Sequence, residues 1–409
     1  MKKIFKPLGV AAAVAAITAG YAGAASAQTT RSAGNVGDLG IIPYYTVAGN
    51  WVTGVHIINT SDLTQVVKLR LRRASDSADA LDFNLIMSPK DEWTGFIDDS
   101  SGDLVFATDD TTCTAPIRAD GRFPMPVIFR DGADEGYLEV IGMGSADASQ
   151  PITANAEHGL DADGVRRPAN CTAVASNFFA NGVSGSKNGI VDNANSVQAG
   201  GCPGTPAPSF CDNTYGDASD ALKVSYFFRD ATAGTEMGGN AVHIAGFSDV
   251  AWMSNQEFGL FSGDTLGFDY PDLNGGPIVG ADESLRGTFD GLRAPELLGV
   301  AGVVNDWSVA AARNVSTDWV VTMPGQYAMV DYFVWATDAG FDFDNCAQPD
   351  NPSTAIDESV NACDFRDLPV TAALTLYDRE EGEIVPDDGD LVISPAPPSE
   401  RNELIFPYE

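Results

Sequence analysis

The chain has 409 residues with 57 Asp+Glu against 23 Lys+Arg, a formal net charge of −34. A field of that sign repels nucleic acid and anionic lipid and favours cations and basic partners, so nucleic-acid binding is set aside. Hydrophobic residues still make up 44% and aromatic residues 9%, which is globular composition and argues against disorder as the reason for the charge.

Met1–Ala27 reads as a secretory signal peptide: Lys2, Lys3 and Lys6 form a basic start, Leu8–Ala19 an apolar stretch, and Ala25-Ser26-Ala27 a cleavage site. The expectation is a product released to the periplasm, the cell surface or the medium. Residues 28–409 then keep 20 basic against 57 acidic side chains, −37. They hold no later apolar run long enough to span a bilayer as a helix. That length suits one elaborated domain, with any subdivision near residues 250–300.

Leu39–Ile97 is the most regular stretch, with runs of Val, Ile, Tyr and Leu broken near Gly49, Asn59, Asp76 and Pro89. It predicts an antiparallel β-meander. Within it, Lys68, Arg70 and Arg72 alternate with Val67, Leu69 and Leu71, so one face of Val66–Arg73 is core and the other, with Arg73, is expected to be a solvated basic face. A basic stripe meeting acidic surface on another molecule is the functional alternative. A polar excursion follows, then strands at Met125–Arg130 and Tyr137–Met143, then weak helices at Ala148–Gly159 and Pro168–Asn181, the second with Pro168 in its first turn.

Gly182–Asp217 reads as a stapled surface excursion. A second hairpin is expected from Ala221–Arg229 and Asn240–Phe247 around Thr232-Ala-Gly-Thr. Signals from Ser248 to Gly280 are poor. Asp282–Asn305 carries a helical period and predicts two short helices broken at Pro295. Thr317–Met323 and Ala328–Ala336 form a further expected hairpin, the second strand covered on both faces. A disulfide loop at Asp338–Phe365, a strand at Val370–Tyr377 and short strands at Leu391–Ser394 and Glu403–Phe406 complete the chain. The fold class is mainly β: an antiparallel sandwich-like body with a few short helices and long disulfide-stapled loops.

All six cysteines follow the signal segment. An even number in an exported chain reads as disulfides. Short separations pair Cys202 with Cys211 and Cys346 with Cys363, leaving Cys113 for Cys171. Zinc is a poor alternative without C-x-x-C and with only His56, His158 and His243.

Gly37–Ser61, Val66–Gly95 and Ser316–Pro324 together resemble a largely uncharacterised family of secreted, cell-surface-type proteins of Proteobacteria. The resemblance implies secretion and a β-rich fold, and carries over no catalytic residues. The sequence contains no nucleophile elbow, H-E-x-x-H, Walker loop or dinucleotide fingerprint. A Ser-His-Asp site would have to be built around His56, His158 or His243, the first and last of which sit in strand patterns.

Clustered acids would suit Ca²⁺, which takes hard oxygen ligands. Candidates are Asp98, Asp99 and Asp103 with Asp109 and Asp110; Asp338, Asp342, Asp344 and Asn345; and Asp387, Asp388 and Asp390. None fits an EF-hand, and solvated turns are the simpler reading; no cofactor is required. The expected function is a secreted, non-enzymatic structural or cell-surface protein that self-associates into a layer or filament, the terminal strands Leu39–Val47 and Glu403–Phe406 being candidates for exchange between copies. The alternative is a secreted polysaccharide-binding module or hydrolase, with Trp51, Trp252 or Trp307 stacking on sugar rings.

Overall fold

A computed structural model of the chain describes residues 30–74, 79–99, 102–125, 130, 132–178, 213–247, 251, 273, 302–304, 320, 322, 324, 373–377, 383–384 and 403–405. The strands in chain order are β1 (Thr30–Arg31), β2 (Leu39–Thr46), β3 (Trp51–Asn59), β4 (Thr64–Arg73), β5 (Asp79–Met87), β6 (Glu92–Asp98), β7 (Val105–Ala107), β8 (Cys113–Ala115), β9 (Arg122–Pro124) and β10 (Glu135–Ala146). Helix α1 (Pro151–Ala156) precedes β11 (His158–Leu160) and β12 (Arg166–Pro168), and α2 (Cys171–Ala175) follows. After these come β13 (Leu222–Asp230), β14 (Thr235–Asn240), β15 (Val242–Ala245), β16 (Gly302–Val304), β17 (Ala373–Tyr377), β18 (Glu383–Ile384) and β19 (Glu403–Ile405).

The body is an antiparallel sandwich. One sheet runs β1-β15-β2-β10-β4-β5-β8, and the other runs β14-β13-β3-β6-β7-β9. The strands of Leu39–Ile97 and the turns near Gly49, Asn59 and Pro89 fall where the sequence put them, the residues around Asp76 lying outside the described ones, but the meander does not hold. Only β4 and β5 form a hairpin, while β2 and β3, β3 and β4, and β5 and β6 change sheets at their turns. A short polar turn serves an arch between layers as readily as a hairpin. What decides here is that each layer needs an apolar face to set against the other.

That inter-sheet core contains Val67, Leu69 and Leu71 of β4, Leu138 and Val140 of β10, and Val55, Ile57 and Trp93 from the opposite sheet. Phe83 and Phe123 stack with ring centroids 4.1 Å apart, and Trp93 stacks on Phe106 at 5.5 Å. Each such side chain contributes roughly 1.5–3 kcal/mol by leaving water.

The other face of the seven-stranded sheet is buried as well. Ile86, Ile141 and Met143 pack there with Ile152, Val174, Phe178, Tyr215 and Phe247. The expected solvated basic face is therefore corrected: Lys68, Arg70 and Arg72 are wholly buried, and only Arg73 is half-exposed. Register explains how they are tolerated. Arg70 lies between Glu139 of β10 and Asp82 of β5. Its Nε donates to Asp82 Oδ1 at 3.0 Å, and Nη1 is 3.9 Å from Glu139 Oε2. Arg72 Nε donates to Glu139 Oε1 at 3.2 Å.

Three further readings change. The hairpin of β13 closes on β14, not on 240–247; β15 crosses to the other sheet beside β2. Asp230 Oδ1 caps the turn by accepting from Thr232 N and Ala233 N, both at 2.8 Å, and the chain resumes a strand through glycine-rich residues that carry little strand propensity. Both helices are shorter than expected: α2 starts after Asn170, whose side chain accepts from Ala173 N at 3.0 Å, while Pro168 ends β12. Residues 302–304 form a strand against β19 and not a helix end; the rest of Asp282–Asn305 lies outside the described residues. So do Ala328–Ala336, Leu391–Ser394, most of Gly182–Asp217 and all of Asp338–Phe365. Of Thr317–Met323, Val320 and Thr322 are described, in no strand; of Val370–Tyr377, β17 is present.

Because Glu139 serves two buried guanidinium groups, Glu139→Gln is expected to lower stability by about 3–5 kcal/mol, the scale for breaking a buried ion pair from one side. Urea unfolding checks this through a lowered midpoint at unchanged slope. A midpoint equal to wild type would show that the charges are not coupled.

Candidate functional site

The described surface offers two places where chemistry concentrates. The first is a cleft beside the Cys113–Cys171 disulfide, whose Cα atoms are 5.1 Å apart. Cys113 opens β8 at the edge of the seven-stranded sheet and Cys171 opens α2, so the bond pins the helix to the sheet. The cleft encloses about 290 Å³. Thr108, Asp110, Thr111, Thr112, Thr114, Arg118 and Arg167 are among the residues that line it.

Next to the cleft lies a hydrogen-bonded network around His158, at the start of β11. Its Nε2 is 3.3 Å from Thr111 Oγ1, while Nδ1 is 3.3 Å from Ser88 Oγ and 3.7 Å from Asp91 Oδ2. Asp91 Oδ2 accepts from Ser88 N at 3.0 Å and from Ser88 Oγ at 3.2 Å. Burial raises the Asp91 pKa, with His158 and the Ser88 N–H pulling it back. Of the three histidines, His158 is the one drawn into a Ser/Thr and Asp network. His243 is a buried strand residue whose Nε2 accepts from Val224 N at 2.8 Å, with its pKa lowered by burial. His56 meets Phe227 edge-on, ring centroids 5.9 Å apart.

The second place is the outer face of the six-stranded sheet and its β14 edge. Phe227 lies over Gly54, where a Cβ would sit 2.1 Å from the ring, and meets Phe96 across that gap at 6.2 Å. Beyond β13 runs β14, Thr-Glu-Met-Gly-Gly-Asn. All its residues but Gly239 are exposed, Met237 by 55%. Among the described residues β14 has one neighbouring strand.

The sequence-predicted site residues are distributed as follows. Cys113 and Cys171 are joined; Cys202, Cys211, Cys346 and Cys363 lie outside the described residues. Asp98 closes β6, Asp99 follows it, and Asp103 accepts from Arg130 Nη1. Asp110 Oδ1 accepts from Thr112 N and Thr112 Oγ1. Among the described residues no group of three or more His, Cys, Asp or Glu comes together to hold a metal ion. Asp338, Asp342, Asp344, Asn345, Asp387, Asp388 and Asp390 lie outside them, as do Trp252 and Trp307; Trp51 is half-buried. The cleft itself went unseen in the sequence. Its walls come from segments some 50 residues apart, and the one signal was the pairing of Cys113 with Cys171.

The disulfide closes a separation of 58 residues, for which a chain-entropy estimate gives about 4 kcal/mol. The double variant Cys113→Ala/Cys171→Ala is expected to lose stability on that scale in a denaturant series, and a loss below about 1 kcal/mol would show that α2 is held by packing alone. Acid–base linkage gives a second check. With its folded-state pKa raised, Asp91 binds protons more readily in the folded protein than in the unfolded chain. Its contribution to stability therefore falls as pH rises from the ordinary carboxylate value through the raised one. Asp91→Asn is expected to remove that component from a stability-against-pH profile, and an identical profile would contradict it.

Among the described residues no helix is long and apolar enough to cross a membrane. Compared with known proteins, the chain matches no protein-family model, no curated protein and no solved structure.

Proposed function

We propose that this is a secreted, non-enzymatic structural protein of the cell surface that associates with its own copies along the edge strand β14. The observation that carries the reading is that edge. Protein sheets protect their edges by keeping the end strands short, charged or proline-bearing. The other edge strands here follow the rule: β1 has two residues, and β8 and β9 have three each. Strand β14 has six, contains one charge and no proline, and exposes Met237.

Antiparallel pairing of two copies about Met237 sets Glu236 against Gly238 and Thr235 against Gly239, so no like charges face each other. The two methionines meet across the dyad. The terminal strands serve this role less well: β2 is flanked by β15 and β10, and β19 lies between β16 and β17. The signal-like N-terminus and the Cys113–Cys171 disulfide, a bond of oxidising compartments, support export. With a net charge of −37 on residues 28–409 of each copy, association works against repulsion that salt screens over about 8 Å at physiological strength.

Light scattering of the exported protein is expected to show association that rises with protein and salt concentration. Met237→Lys, which adds charge to the edge, should leave a folded monomer. Wild-type protein that stays monomeric at high concentration and salt, or a variant that associates equally well, would refute the edge as the contact.

A further inference from the structure

We infer that His243 is an acid-sensitive latch: its neutral ring holds β13 to the crossover between β14 and β15, and protonation in mild acid releases that crossover while the sandwich stays folded. The latch operates within one chain and does not depend on association between copies. Strand β14 ends at Asn240 and β15 begins at Val242, so the chain passes from one sheet to the other at Ala241. Continuing the register of β13 and β14 sets Ala241 opposite Val224, and a hydrogen-bonded antiparallel pair exchanges both of its N–H···O bonds. Here the backbone makes one of the two, Ala241 N donating to Val224 O at 3.0 Å. The Val224 N–H is given instead to a side chain, His243 Nε2, at 2.8 Å.

Packing explains how a ring spans the two sheets. His243 lies opposite Gly40 of β2, where a Cβ would sit 2.7 Å from Val224 Cγ2. With no side chain at Gly40, β13 comes close enough for the imidazole to reach its backbone, and His243 is left 2% exposed. A neutral imidazole has one accepting and one donating nitrogen, so with Nε2 accepting the proton sits on Nδ1. An imidazolium has no acceptor. Protonation would set two N–H groups against each other out of reach of water, and a buried donor without an acceptor costs its full desolvation. The charged ring therefore fits only a crossover that has moved off β13.

The charged groups of the neighbouring elements leave that logic intact. On β13, Lys223 brings positive charge next to Val224, its Nζ donating to Asn240 Oδ1 at 2.9 Å. Strand β2 carries no charged side chain, and Glu139 of β10 pairs with Ile41, the neighbour of Gly40, so it points to the opposite face. Arg31 of β1 pairs with Ile244. Asp38 and Asp220 accept from Phe247 N at 2.9 Å and Gly246 N at 2.7 Å, beyond the end of β15. Burial lowers the pKa of His243, with the Ala241 carbonyl opposing and Lys223 adding to it. An opened ring thus binds protons more readily than the closed one. The latch holds fully above the ordinary histidine value of about 6.5 and is lost as pH falls from there through the lowered one.

Hydrogen exchange followed peptide by peptide in the exported full chain tests this, at low protein concentration and corrected for the intrinsic pH dependence of exchange. From about pH 7.5 to about pH 5, peptides holding Val224 and Ala241–Ala245 should open at least about fivefold more, against a ceiling of about thirtyfold for a ring whose open-state pKa is the ordinary one. Peptides of β4 and β10 should keep their protection. His243→Gln retains an acceptor for Val224 N and does not titrate, so its exchange should stay flat over that range. Should this variant fail to fold, ¹⁵N spectra of the wild-type histidine rings decide: the His243 ring has to pass from the Nδ1–H tautomer to imidazolium over the same pH range in which exchange rises. The latch is refuted by unchanged wild-type exchange, by an equal rise in folded His243→Gln, by a rise shared equally with β4 and β10, or by a His243 ring that stays neutral while exchange rises.

Discussion

The cross-strand row Glu139–Arg70–Asp82 constrains the whole molecule. A buried guanidinium without carboxylates would cost several kcal/mol, so β10, β4 and β5 hold together in the one register that supplies both. A slip of one residue would turn Arg70 into the inter-sheet core and push Leu69 and Leu71 to the other face. Strand β4 is thus a fixed axis. On one side its leucines set the sandwich, and on the other its basic residues require a cover, which α1, α2 and the residues around Tyr215 and Phe247 help to provide. The cleft beside the disulfide lies at the end of that cover, where α2 meets β8.

How far the sequence revealed this depends on whether the deciding contact was local. Strand positions were legible because β-branched and aromatic runs alternate with Asn, Asp, Gly and Ser turns over distances the eye can follow. The partner of each strand was not. A turn such as Ala48-Gly49-Asn50 looks the same whether it closes a hairpin or arches between layers, and β3 finds its neighbours in β6 and in the distant β13. The alternation of Val66–Arg73 was read correctly as two faces, but the polar one was taken to be wet. The hint that it is dry lies far away, in the lone acid Glu139 within the apolar run of β10, where only three-dimensional register shows its meaning. Of the candidate site, the Cys113–Cys171 link was legible from cysteine spacing; the arginines and threonines it gathers were not, since no motif connects them.

The two surfaces divide the demands on the molecule. In the proposed association, edge strand β14 would meet an identical strand through backbone groups. The cleft is individual, gathering threonines and arginines from separate segments beside the disulfide. The strongly acidic composition surrounds both with negative charge.

The pairing pattern also sets a pace. Leu222 pairs with Asn59 and Val242 with Ile41, so neither sheet is complete until segments from far along the chain have arrived. Such non-local topologies fold slowly, because loop closure has to be met before the contacts that reward it can form. A chain of this design has no early, self-sufficient half: the first five long strands are split between layers and leave both sheets unfinished. It would stay loose and threadable for as long as its later strands were missing, a state suited to passing through a narrow channel before the two layers close.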